Sequence, residues 1–205
     1  KARLMPGTLS FMNNCKKVTL FAITGFGNKV LDGLLEEHAE VAAIFTRKEK
    51  WAFPYYPEEN LRSYAERKGI AVFEEFSWQT VEEIIRNNKP DLALIATFHK
   101  IIPKNVIDLL PLFINLHPSL LPKYKGRQPI EEALANQEKE IGITAHRVTE
   151  KVDSGDIALR VKIPIQSSDN ANSLRKKLAY LATGVTKKLL HQIKTHSLVF
   201  MPQTK

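Results

Sequence analysis

The feature that most constrains this chain is an alternation of two hydrophobic rhythms. Short apolar runs of strand length occupy residues 16–23, 41–45, 71–73, 92–96 and 112–117. Between them, apolar residues recur at helical spacing over 30–37, 59–68 and 81–87. Pro103 opens a further short helix to Leu110, because proline is tolerated at the first helical position. Strands that alternate with helices across short loops give a mostly parallel sheet, wound right-handed and covered on both faces. The expected class is therefore α/β, a single doubly wound domain. From Ile141 the texture changes: 142–148 and 157–165 are β-rich and separated only by the loop 149–156, which predicts an antiparallel pair. Ser168 and Asp169 are good N-caps for a long final helix over 171–194. Residues 1–11 show no periodicity and are expected to be a tag remnant or disordered arm, leaving 12–205 as one catalytic domain.

Composition narrows the classes of function. Hydrophobic residues are 43% and charged residues 25%, ordinary values for a globular chain. No apolar run approaches the roughly 18 residues needed to span a bilayer, and no secretory leader pattern is visible, so a cytoplasmic protein without a membrane partner is expected. Cys15 is the single cysteine, which excludes an intramolecular disulfide and a cysteine-built zinc site. The net charge of +8 favours anionic partners. Its clusters, such as Arg175-Lys176-Lys177, are short and accompany no recognition motif, so a nucleic-acid partner is not expected.

Asn115 and His117 stand two apart at the carboxyl end of a predicted parallel strand, on one face and where open α/β sheets place their ligand crevice. The strand runs into Pro118-Ser-Leu-Leu-Pro122-Lys-Tyr-Lys-Gly126, a loop stiffened by two prolines. A histidine there can supply a proton near neutral pH, and an asparagine amide can donate to a developing oxyanion. Taken alone, a strand-end histidine serves equally well to cap backbone groups. The same holds for Glu150-Lys-Val-Asp153-Ser-Gly-Asp156, whose aspartates and glycine also suit a purely structural turn.

Together the two segments resemble the folate-dependent formyltransferases, the group that contains glycinamide ribonucleotide, methionyl-tRNA and sugar N-formyltransferases. Asn115-Leu-His117-Pro-Ser-Leu-Leu-Pro122 is similar to the family's Asn-x-His-Pro-Ser-Leu-Leu-Pro signature, and Asp153-Ser-Gly155 to its Asp-x-Gly loop. The 36 residues from His117 to Asp153 match the family's spacing. The resemblance implies that Asn115, His117 and Asp153 form the catalytic triad and that N10-formyltetrahydrofolate is the co-substrate, with no metal. Asn115 and protonated His117 are expected to stabilise the formyl oxygen, while Asp153 orients His117 and makes it more basic. The reduced folate is expected against Phe98, Lys100, Ile101 and Ile102, with Val148, Thr149, Glu150 and Lys151 as the other wall. His99 is expected at the surface.

The acceptor amine is less directly marked. Gly25-Phe26-Gly27-Asn28-Lys29 sits where purine-pathway members carry a serine- and glycine-rich phosphate loop; Phe26 and Lys29 are the acceptor contacts expected there, although both depart from that pattern. Trp51, Tyr55 and Tyr56 form an aromatic loop suited to stacking on a base or sugar. Arg127 and Gln128 follow Gly126 at the crevice edge, where they can meet an anion or solvent. Because the chain also lacks room after about Thr195 for an RNA-binding domain, the expected acceptor is an amino sugar on a nucleotide or other anionic handle. The competing readings are glycinamide ribonucleotide formylation, formyltetrahydrofolate hydrolysis and a non-catalytic folate- or nucleic-acid-binding module. A homodimer is compatible with all of them.

Overall fold

The computed structural model describes residues 17–49 and 59–203. Cys15, Trp51, Tyr55, Tyr56 and the opening arm at 1–11 lie outside the described residues. Strands β1 (Lys17–Ala22), β2 (Glu40–Phe45), β3 (Val72–Phe73), β4 (Leu92–Ala96), β5 (Phe113–His117), β6 (Glu140–Arg147) and β7 (Ile157–Pro164) form one sheet in the order β3-β2-β1-β4-β5-β6-β7. The first five strands run parallel, and β5–β6 and β6–β7 pair antiparallel. Helices α1 (Phe26–Glu36), α2 (Leu61–Arg67), α3 (Trp78–Asn88), α4 (Lys104–Ile107), α5 (Pro129–Ala135) and α6 (Ala171–Lys194) cover its faces. This is the doubly wound, mostly parallel sheet with an antiparallel pair and a long last helix that the two rhythms imply.

Side chains alternate across each strand, so β1 feeds two cores. Val18, Leu20 and Ala22 face α1 and α6, while Phe21 faces the side covered by α3 and α4. Phe21 stacks on Phe45 and Phe113 at centroid distances of 5.0 and 5.6 Å, which ties β2, β1 and β5 into one aromatic layer. Such pairs add about 0.5–1.5 kcal/mol beyond the area they bury.

Several element ends differ from the sequence expectation. Helix α1 begins at Phe26 rather than Val30, because the Asn28 side chain accepts from the Gly25 N–H at 3.0 Å and caps the turn. The expected 103–110 helix shortens to α4, with Pro103 outside it as N-cap. Asn170, not Ser168 or Asp169, caps α6 by accepting from the Ser173 N–H. Helix α5, with Pro129 in its first turn, has no counterpart in the sequence reading.

Helix α1 lies tightly on α6 at Gly33. A Cβ there would sit 2.8 Å from the Thr183 carbonyl oxygen and 2.9 Å from Thr186 Cβ. Alanine would gain about 0.5–1 kcal/mol in helix propensity, but the forced separation of two helices costs about 1–3 kcal/mol. Gly33→Ala should therefore lower the unfolding free energy by about 1–2 kcal/mol in urea titrations; a stabilised variant would show that the two helices have room to spare.

Candidate active site

The carboxyl end of β5 carries Asn115 and His117, and antiparallel pairing with β6 sets His146 directly opposite Asn115 and Thr144 opposite His117. Cross-strand partners share a face, so four polar side chains gather at this edge. Thr144 anchors the loop after β5: its hydroxyl donates to the Ser119 carbonyl at 2.7 Å and accepts from the Leu121 N–H at 3.1 Å. That rigid loop carries two main-chain groups into the site. The Tyr124 carbonyl lies 2.8 Å from His117 Nε2, and the Gly126 N–H donates to Asp153 Oδ2 at 2.9 Å.

Asp153 descends over the strand ends from the loop between β6 and β7. Its carboxylate accepts from Asn115 Nδ2 at 3.1 Å and lies 3.4 Å from both His117 Nδ1 and His146 Nε2. The expected clustering of Asn115, His117 and Asp153 is thus present, with His117 4% and Asp153 8% exposed. Asp153 adopts a left-handed backbone, φ 47°, a conformation that costs an L-residue roughly 1–2 kcal/mol.

Burial raises the Asp153 carboxyl, but the His146 hydrogen bond, the His117 charge and the Gly126 N–H outweigh it and bring the pKa down to about 2. Asp153 is accordingly an anion at every working pH. For His117 the balance is the reverse. Burial lowers its pKa below 6.5, more than the Asp153 charge and the Tyr124 carbonyl raise it, and His146 lowers it further. Asp153 makes His117 more basic than burial alone would, and the net direction is down. His146 Nδ1 lies 3.0 Å from the Arg147 carbonyl and must carry a proton to bond it. His146 Nε2 lies 3.2 Å from Asn115 Nδ2. Asn115 Nδ2 thus donates to Asp153 and also stands within hydrogen-bond distance of His146.

These groups open onto a cavity of about 690 Å³, within the usual range of small-molecule sites. Phe98, Lys100, Ile101, Ile102, Val148, Thr149, Glu150 and Arg127 border it, and so do Arg47 and His99. Ile102 is buried in the core, whereas Ile101 is 76% and Val152 50% exposed. His99 is half-buried rather than a surface residue, and burial lowers its pKa. Lys151 and Gln128 are exposed and do not border the cavity. Neither do Phe26, buried in the core, and Lys29, which pairs with Asp32 at 2.9 Å beneath the Tyr180 ring. His146 escaped the sequence reading, although Thr144 and His146 are polar at alternate positions within the otherwise apolar run 141–146 of β6. No group of three or more metal-ligating side chains is placed to hold a metal, and no helix is long and apolar enough to cross a membrane, among the described residues.

Residues 16–189 match the formyl transferase family. The chain is 34% identical over 192 residues to methionyl-tRNA formyltransferase of Kosmotoga olearia, covering 91% of this chain and 62% of that protein. It is 34% identical over 180 residues to the Nitratiruptor enzyme of the same name, covering 85% and 59%. The chain thus spans about three-fifths of the length of these curated relatives. Among solved structures, glycinamide ribonucleotide transformylase 1 from Symbiobacterium toebii superposes with a TM-score of 0.76 at 21% identity, over 99% of both chains. The Helicobacter canadensis N-formyltransferase, crystallised with folinic acid and dTDP-3-aminofucose, gives 0.76 at 22% identity, over 94% of this chain and 68% of that one.

The depressed histidine gives a signed prediction. The unfolded chain takes up the His117 proton more readily than the folded one, so stability present above pH 6.5 is lost as pH falls through that value. Asp153 adds a second loss as pH falls from 3.8 towards 2. Urea unfolding from pH 7.5 to about 5 should show falling stability, with a shallower slope in His117→Gln and the remainder due in part to His99. A wild-type stability that rises as the solution is acidified would contradict the burial-dominated balance.

Proposed function

The chain belongs to the formyl transferase family, and from that premise we propose that it transfers the formyl group of N10-formyltetrahydrofolate to a primary amine. The observation that carries this reading is the contact of Asn115 and His117 with a buried, anionic Asp153 at the mouth of a partly apolar cavity. The exposed Ile101 and Val152 side chains at that mouth suit the flat ring system of a reduced folate. In the reaction a neutral amine attacks the formyl carbon, the new C–N bond forms, and the bond to the folate N10 breaks as a proton passes from the amine to that nitrogen. Asn115 and His117 stabilise the oxygen on which charge develops, a role worth about 3–4 kcal/mol per donor. His117 enters the site neutral, so the Asp153 anion supports it as it takes on positive character.

For the acceptor, the turn before α1 argues against a phosphate of glycinamide ribonucleotide at that position. The Thr24 N–H there donates to the Glu49 carboxylate at 3.1 Å, and the Gly25 N–H is taken by Asn28. One of these two donors is taken by a carboxylate and the other by an amide oxygen, so neither is free for a phosphate at that turn. An amino sugar on a nucleotide or other anionic handle remains our reading, supported by this turn and by the net positive charge. Methionyl-tRNA is a second reading, favoured by the identity to enzymes of that name.

His117→Ala and Asp153→Ala should each lower turnover by about 100-fold or more, and the double variant should fall little below the worse single one. Near-wild-type turnover in either single variant would remove the mechanism. A panel of nucleotide-linked amino sugars, methionyl-tRNA and glycinamide ribonucleotide should give the highest kcat/KM with the amino sugars. A preference for glycinamide ribonucleotide would overturn the reading of the Glu49 contact.

A further inference from the structure

After α6 the chain returns to the catalytic edge of the sheet. Met201 and Ile157 exchange both backbone hydrogen bonds, at 2.8 and 2.9 Å, which adds a bridge along β7. The Arg147 guanidinium lies 4.3 Å over the Phe200 ring. These contacts deliver Gln203 to the Asp153 loop, where its Nε2 donates to the Asp153 carbonyl at 3.0 Å and to the Gly155 carbonyl at 2.8 Å. Two carbonyl acceptors set the orientation of the amide, since turning it over would press Oε1 against two other oxygens. From the opposite side the loop is pressed against β6: a Cβ at Gly155 would lie 1.9 Å from the Arg147 carbonyl oxygen. The loop is held between β6 and Gln203, and within it stands Asp153 in its left-handed backbone.

We infer that Gln203 is a positioning residue for formyl transfer, clamping the main chain of Asp153 and Gly155 so that the Asp153 carboxylate stays over His117. A residue in a sparsely populated backbone region persists only where its surroundings over-determine it. The carboxylate is held by Asn115 and Gly126, but the main-chain carbonyls on either side of Ser154 are held by Gln203. Gln203 acts only through Asp153. The groups facing His117 are Asp153 from the loop, His146 from β6 and the Tyr124 carbonyl. Loosening Asp153 removes the strongest influence that raises the His117 pKa and leaves burial and His146, which lower it.

The inference rests on the formyl-transfer reading, and its test separates the two. The His117 imidazole is titrated by NMR, with its resonance assigned from a His117→Gln spectrum, in the wild-type chain, Gln203→Ala and Gln203→Met. The methionine variant keeps the side-chain volume and removes both donors. Both variants should titrate His117 lower than wild type by about half a pH unit, in the direction of Asp153→Asn, and should lose turnover on the order of tenfold. Wild-type titration in the folded variants would overturn the inference, even if their thermal midpoint or turnover fell, because Gln203 would then brace the fold without placing Asp153. If the wild-type chain formylated no acceptor, the functional reading would fail, while the titration would still decide whether Gln203 holds the carboxylate in place.

Discussion

The structure turns on one buried carboxylate. An ionised Asp153 removed from water is unfavourable by several kcal/mol unless hydrogen bonds and opposite charge replace its hydration. Those replacements come from segments far apart in the chain: Asn115 and His117 at the end of β5, Gly126 on the loop that follows, and His146 on β6. Each contact requires a particular piece of the fold. Placing β6 beside β5 puts His146 opposite Asn115, and Thr144 holds the loop that aims the Gly126 N–H. A shift of one residue in the β5–β6 register would turn Asn115 and His117 away from His146.

The same carboxylate divides the labour in the site. His117, alone in its pocket, would be driven neutral by burial, and the anion beside it returns part of that lost basicity. In the proposed reaction this balance lets the histidine take up positive character when charge builds on the substrate. Asn115 is oriented by its donation to Asp153, which in the proposed reaction leaves little reorganisation to be made when an oxyanion forms beside it. Charge is also distributed around the site. The chain is basic overall, but in the turn before α1 the Glu49 carboxylate accepts from the Thr24 N–H.

Much of this was legible in the sequence because it depends on local pattern. The strand runs are continuous and apolar, as parallel strands buried on both faces must be. Asn115 and His117 stand two apart at a strand end before a proline-stiffened loop, a pattern that by itself also suits a capping histidine and that pointed to chemistry only through its resemblance to the formyltransferase signature. What was not legible depends on tertiary placement. The role of His146 requires the β5–β6 register, which no local feature of β6 specifies. Phe26 and Lys29 looked like members of a ligand loop because Gly25 and Gly27 punctuate the segment, yet the Asn28 cap converts it into the first turn of α1 and sends Phe26 into the core. Gln203 lies 50 residues from Asp153 along the chain and carries no signal of its own.

Following the formyl carbon itself tests the account most directly. With 10-formyltetrahydrofolate labelled with carbon-13 at the formyl group and an acceptor amine present, the label should appear in the N-formyl amide of the product. Replacing Asn115 or His117 with alanine should slow that appearance without diverting the label. Recovery of the carbon as free formate at the same rate with and without amine would show that water is the acceptor, and a label that never leaves the folate would show that these residues do not catalyse transfer at all.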